Sequence, residues 1–123
     1  MLRTLLIVAL GGGVGSALRY AVSKFVQDNM SGAFPYHTFA VNIVGCLLIG
    51  LFYGLAARGH LGNNTTTLLL TTGLCGGFTT FSTFALESNS LIQAGNTPLA
   101  VLYAVLSVTL SIAAVFAAQA LVK

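Results

Sequence analysis

The polar side chains of this chain are few, and those able to do chemistry stand inside long apolar runs. The centre of the third run reads Gly73-Leu74-Cys75-Gly76-Gly77-Phe78-Thr79-Thr80-Phe81-Ser82-Thr83-Phe84. Adjacent glycines followed by Thr and Ser make a poor continuous helix, so a break is expected there. Two readings of the break stand. Unwound carbonyls at the bilayer midplane can coordinate a small cation, or the helix is only kinked and its hydroxyls bond back to their own i−4 carbonyls. Phe81 and Phe84, three apart, share a helix face. Such pairs ordinarily face lipid or core, but a phenyl edge is electropositive and can meet an anion without a formal charge.

Other runs add donors. Asn42 carries an amide NH₂ among Phe39, Val41, Ile43 and Val44, with Thr38 one turn earlier on the same face; interhelical bonding is its plainer role. Tyr103, Ser107 and Ser111 follow at four-residue spacing and form one stripe, either a polar track or small-residue packing. Arg19 either snorkels to the interface or sets a positive potential at an aqueous entrance. Glu87, one turn beyond Phe84, reads as a solvated carboxylate near a helix end or as an access residue. The inventory is mostly donors. Donors suit an anion, and a small, strongly hydrated one needs several to replace its water. His37 and His60 lie at the edges of their runs, no Ser/His/Asp or Cys/His arrangement occurs, and there is no phosphate loop. An enzyme is not expected.

The elements that must hold these groups follow from composition. The chain has 123 residues, 56% hydrophobic and 6% charged. A soluble domain carries about 25% charged residues, so an ordinary soluble enzyme, a disordered tail and a collagen-like repeat are excluded. The net charge of +3 comes from five scattered basic residues, which argues against nucleic acid as a partner. Cys46 and Cys75 lack CxxC spacing, so neither a disulfide framework nor a zinc site is expected. The expected class is an all-α integral membrane protein.

A membrane span needs about 20 apolar residues, and four runs satisfy this, at about 4–25, 37–57, 65–92 and 98–122, in one transmembrane domain. Lys24, Asp28, Asn29, Ser31, Gly32 and Pro35 form the first polar connection. Asn63 and Asn64 are N-cap candidates, and Pro98 suits a first helical turn. The Met-Leu-Arg start, with Leu5–Leu10, has no A-x-A site after it, so no cleaved signal peptide is expected. Glycine pairs at Gly11/Gly15, Gly50/Gly54 and Gly73/Gly77 support close helix contacts. Four short helices hardly enclose an ion path, so oligomerisation is expected. Arg3, Arg58 and Lys123 fall on one side of the membrane, against Lys24 and Arg19 on the other. So small a bias fixes no single orientation, and insertion both ways is expected.

These residues resemble a known family. Gly76-Gly77-Phe78-Thr79-Thr80-Phe81-Ser82-Thr83-Phe84 is similar to the GGxTTFSTF signature of the Fluc (CrcB-type) fluoride channels. Gly12-Gly13-Val14-Gly15-Ser16-Ala17-Leu18-Arg19-Tyr20 resembles their first-helix GGxxGxxxRY pattern, and Val41-Asn42-Ile43-Val44-Gly45 their second-helix motif. Tyr103, Ser107 and Ser111 fall where their fourth helix has a Tyr and a polar track. The resemblance implies four spans with the third broken at its centre, in an antiparallel, dual-topology homodimer of the prokaryotic inner membrane. It implies two pores per dimer that export cytoplasmic fluoride passively and exclude chloride. Phe81, Phe84 and Asn42 would line the pores, with Thr38, Ser82, Thr83, Tyr103, Ser107 and Ser111 as further polar groups. Arg19 and Glu87 would act at pore access at most. A structural sodium ion (Na+) would sit at the dimer centre on main-chain oxygens of Gly76 and Thr79 from both subunits. Two rival readings stand beside it: an exporter of lipophilic cations, which needs an intramembrane carboxylate in an aromatic cage, and a purely structural membrane subunit.

Overall fold

Backbone N–H and C=O groups in hydrocarbon must be satisfied within the segment, which leaves a chain of this size with helices. The fold is taken from a computed structural model that describes residues 1–122; Lys123, counted among the basic residues above, lies outside them. Four helical segments are long and apolar enough to cross a membrane. Helix α1 is Leu2–Asn29 and α2 is Tyr36–Ala57. The third crossing, Asn64–Gln93, is composite. It comprises α3 (Asn64–Leu68), a π-helical segment (Leu69–Cys75), the short α4 (Gly76–Phe78) and α5 (Phe81–Gln93). Helix α6, Thr97–Leu121, completes the bundle.

Local chemistry sets the ends. The Asn63 side chain accepts from the Thr66 N–H at 2.9 Å and caps α3. Pro98 lies in the first turn of α6, where its missing N–H costs nothing. Helix α1 runs past Phe25 into the stretch read as a polar connection. The reason is local: the Asn29 Nδ2 donates to the Phe25 carbonyl at 2.8 Å, and Lys24 and Asp28 pair at 3.6 Å one turn apart on its exposed face.

Helix α2 packs against α6, and α1 against the π-helical segment and α4. Glycines make the second seam. A methyl built on Gly11 would lie 2.7 Å from the Leu69 carbonyl oxygen and 3.0 Å from the Gly73 Cα, so the two backbones touch directly. Gly50 meets the Val115 backbone of α6 in the same way. These glycine pairs are therefore packing grooves within the chain. The π-helical segment was not foreseen. It takes one residue more per hydrogen-bonded turn than an α-helix, a feature often found at functional sites.

Buried side chains run along the bundle, from Ala100 to Ala118 on α6, and one cluster gathers toward an end. Tyr103, Leu91 and Ala100 are buried, with Phe34, Phe39, Phe84 and Leu99 packed around them. The Phe34 ring meets Tyr103 edge-on, at 5.3 Å between centroids. That places Tyr103, the only buried tyrosine among the described residues, beside Phe84 and Glu87 of α5, which resumes the third crossing after its break.

Candidate functional site

The break itself is two residues long. Thr79 (φ −86°, ψ 160°) and Thr80 (φ −150°, ψ 120°) are extended between α4 and α5. It is a true interruption, yet the back-bonded hydroxyls of the other reading also occur: Thr79 Oγ1 donates to the Cys75 carbonyl at 3.0 Å, and Thr71 Oγ1 to the Thr67 carbonyl at 2.7 Å.

Asn42 of α2 holds the break from 38 residues away. Its Oδ1 accepts the Thr80 N–H at 2.8 Å, and its Nδ2 donates to the Thr80 carbonyl at 3.0 Å. Interhelical bonding, the plainer role read from sequence, is thus present, and one Nδ2 hydrogen stays uncommitted. Thr80 caps α5: its Oγ1 accepts from the Thr83 N–H at 3.3 Å and donates to Thr83 Oγ1 at 3.0 Å. In a continuous helix the Thr80 N–H would go to the Gly76 carbonyl, and the Thr83 N–H to the Thr79 carbonyl. Both donors are taken by side chains instead, so the Gly76 and Thr79 carbonyls lose their helical partners.

A groove of about 340 Å³ opens along this segment. It brings together Asn42, Gly76, Thr79, Thr80, Phe81, Phe84, Ser107 and Ser111, and none of its lining residues is charged. The Phe81 and Phe84 rings lie 5.7 Å apart between centroids; Phe81 is 79% exposed on the outside of the single chain. Ser107 Oγ is buried and has no partner, so this hydroxyl is not back-bonded along α6. Ser82 is exposed and lies outside the groove lining.

A second cluster sits at the end of the bundle where α2 begins. The His37 Nε2 meets Glu87 Oε2 at 2.8 Å, and the Tyr103 hydroxyl donates to Glu87 Oε1 at 3.1 Å. Glu87 is therefore no free solvated carboxylate: its side chain is only 19% exposed, and both oxygens are engaged. It faces a depression of about 310 Å³ lined also by Phe34, Pro35 and Ser90. Thr38 is buried beside this cluster at the start of α2. Phe84 joins the two regions, since its ring touches Tyr103 at 5.0 Å while it lines the groove. Arg19 is half-buried, lines neither cavity, and makes no ion pair among the described residues.

Two residues of this arrangement were not singled out from sequence. Thr80 could have been, because a hydroxyl just ahead of a new helical run is an N-cap pattern. His37 could not: nothing local ties it to a carboxylate 50 residues on.

Gly76 and Thr79 can be tested as cation ligands. Carbonyl oxygens are hard, neutral ligands suited to a hard cation, and the Gly76 and Thr79 carbonyls, which the family resemblance names, are among the four of residues 76–79 that the break separates from their helical donors. The residues fit.

The chain is similar to known proteins over nearly its whole length. The sequence model described as "CrcB-like protein, Camphor Resistance (CrcB)" matches residues 6–119. A protein of Phocaeicola vulgatus named "Fluoride-specific ion channel FluC" is 50% identical over 111 residues, covering 90% of this chain and 91% of that protein. Proteins of the same name from Rhizobium leguminosarum bv. trifolii and Flavobacterium psychrophilum are 48% and 42% identical, covering 96% and 99% of this chain and 94% and 98% of theirs. With four membrane-crossing helices, a third crossing broken at its signature and a family match across all four, this chain belongs to the CrcB-like family of FluC proteins.

Proposed function

We propose that this chain is a fluoride-selective channel of a bacterial membrane, carrying fluoride passively out of the cytoplasm. The observation that carries this reading is the groove: amide, hydroxyl and phenyl-edge donors stand together along a lining without one charged side chain. Fluoride gives up its water only to several replacing donors, and a site that holds it too tightly would not release it. Neutral donors in series meet both demands. Ser107 Oγ, buried and unpartnered, the free Nδ2 hydrogen of Asn42 and the Phe81 and Phe84 edges are such a series. Chloride is larger, and a narrow path rejects it by size.

The conducting unit is an antiparallel homodimer with two pores. Gly76 is exposed on the single chain, and its carbonyl has lost its helical donor. Bare carbonyls cannot face lipid, so a second copy must cover this face. Four carbonyls, Gly76 and Thr79 from each subunit, would hold sodium at the shared centre. When bound, the ion supplies fixed positive charge that neutralises the carbonyl dipoles and ties the subunits together. Ser82 and Thr83 add hydroxyls at the break; Thr38, Tyr103 and Glu87 belong to the approach from the α2 end. The rival exporter of lipophilic cations needs a carboxylate free to meet its substrate, and Glu87 is held by His37 and Tyr103.

The test is ion efflux from proteoliposomes loaded with fluoride or with chloride. Fluoride efflux without chloride efflux is expected. No fluoride flux, or equal flux of both ions, overturns the reading.

A further inference from the structure

A break in a membrane helix must be prevented from healing. Thr80 and Thr83 each carry an N–H that could return to the i−4 carbonyl and restore the helical ladder across residues 76–83. Two side chains stand in the way. Asn42 Oδ1 takes the Thr80 N–H at 2.8 Å, and Thr80 Oγ1 takes the Thr83 N–H at 3.3 Å. We infer that Asn42 and Thr80 are positioning residues for the central cation, intercepting two helix donors so that the Gly76 and Thr79 carbonyls stay bare. The inference deepens the sodium reading above and rests on it.

Each interceptor is itself pinned. The Asn42 amide grips the Thr80 peptide from both sides, because its Nδ2 donates to the Thr80 carbonyl at 3.0 Å. An amide bonded through both ends has one orientation, and that orientation presents oxygen to the N–H. The Thr80 hydroxyl donates to Thr83 Oγ1 at 3.0 Å, which turns its lone pairs toward the Thr83 N–H. The Cys75 carbonyl lies within the same segment and is treated differently. It accepts both the Thr79 N–H and the Thr79 hydroxyl, each at 3.0 Å, and so is closed to a cation. The Gly77 and Phe78 carbonyls, between Gly76 and Thr79, also lie off their helical donors across the break, and the Gly77 carbonyl accepts from the Ser16 hydroxyl of α1 at 3.5 Å. Asn42 thereby has two separable duties: its oxygen maintains the cation site, while its nitrogen keeps one hydrogen uncommitted on a residue that lines the anion groove.

The duties separate by substitution. Asn42→Asp keeps an oxygen for the Thr80 N–H and puts a carboxylate where the anion passes. Asn42→Leu keeps the shape and loses both. Thr80→Ser keeps the capping hydroxyl, and Thr80→Val deletes it at constant shape. Purified full-length protein in N-methylglucamine buffer is titrated with sodium, and the melting temperature and dimer fraction are followed; fluoride flux is measured in parallel. For the unsubstituted protein, sodium raises both. Asn42→Leu and Thr80→Val shift the sodium midpoint upward by roughly tenfold, because each loses the bond that diverts one helix donor from its carbonyl. Asn42→Asp and Thr80→Ser bind sodium at least as well as the parent, and Asn42→Asp conducts no fluoride. Should Asn42→Leu yield no folded dimer, Thr80→Val against Thr80→Ser decides. Unchanged midpoints in the Leu and Val variants, or loss of sodium binding in Asn42→Asp, overturn the inference while leaving the sodium site standing. Absence of any sodium effect on the parent protein overturns the sodium reading itself, and this inference with it.

Discussion

Gly11 and Gly13 lie two residues apart on α1, and replacing each with alanine should give opposite results. A methyl at Gly13 meets nothing within 4 Å, whereas one at Gly11 would lie 2.7 Å from the Leu69 carbonyl oxygen and 3.0 Å from both the Gly73 Cα and the Leu74 nitrogen. All three neighbours are backbone, so no side chain can swing aside. Ordinary contact begins near 3.4 Å, and the seam must open by about 0.7 Å to reach it. A gap of that size forfeits about a quarter to a half of the attraction of each contact along it, and overpacking of this kind costs about 1–3 kcal/mol. Helix propensity favours alanine by about 1 kcal/mol at both positions and cancels between them. Gly11→Ala is therefore expected to be about 1–3 kcal/mol less stable than Gly13→Ala, with Gly13→Ala at or slightly above the parent. Because the π-helical segment and α4 are carried by this seam, Gly11→Ala should also displace the break and lower fluoride flux. Thermal denaturation of the purified variants gives the first quantity and proteoliposome efflux the second. Equal stability of the two variants would refute the direct backbone contact and, with it, the account of how α1 positions the break.

Three further outcomes follow from the same geometry. Phe81→Ile and Phe84→Ile remove the electropositive ring edges while keeping bulk, so fluoride efflux falls steeply with the dimer still assembled by size-exclusion chromatography; undiminished flux in both removes the rings from the path. Tyr103→Phe keeps the ring contacts with Phe34 and Phe84 but loses the 3.1 Å bond to Glu87, lowering stability by about 1–2 kcal/mol in thermal denaturation, toward the low end for a bond to a charged group because His37 still holds the carboxylate; no change would mean that the hydroxyl does not hold Glu87. A reporter fused to the C-terminus should be found on both sides of the membrane in comparable amounts, and a strong preference for one side would contradict antiparallel assembly.

What could be read from the residues alone was whatever hydrocarbon imposes locally. Apolar runs of span length, the Asn63 cap and Pro98 in a first turn are short-range facts, and α2, α3 and α6 begin accordingly. The break was also expected, because Gly76-Gly77 and the Thr-rich stretch each oppose helix continuity. The π-helical segment was hidden: Leu69–Cys75 has no composition that separates it from an α-helix, and its winding is fitted to the glycine face of α1. The glycine pairs announced close contacts without naming their mates. Asn42 was visible as an intramembrane amide, but its hold on Thr80 spans 38 positions and comes from packing. Of the two readings of Glu87, the solvated carboxylate fails for the same reason. Its place near a helix end suggested solvent, and its partners His37 and Tyr103 arrive from two other helices.

The bare carbonyls also bear on what the smallest stable unit can be. Leaving a peptide group unsatisfied in an apolar surrounding costs several kilocalories per mole. The break takes the Gly76 and Thr79 carbonyls, and the Gly77 and Phe78 carbonyls between them, off their helical donors, so an isolated chain in lipid carries a penalty of this kind. The Asn42 clamp prevents the inexpensive remedy, which is to rewind the helix. A chain built this way is stable only when something covers the break, and a second copy brings the same pair of carbonyls to the contact. Four acceptors facing one another repel unless a cation lies among them. On this account the proposed dimer and the proposed sodium ion each require the other, and the scarcity of formal charge in the chain explains why: with no carboxylate in the groove lining, backbone oxygen is what remains to bind a cation, and neutral donors are what remain to pass an anion.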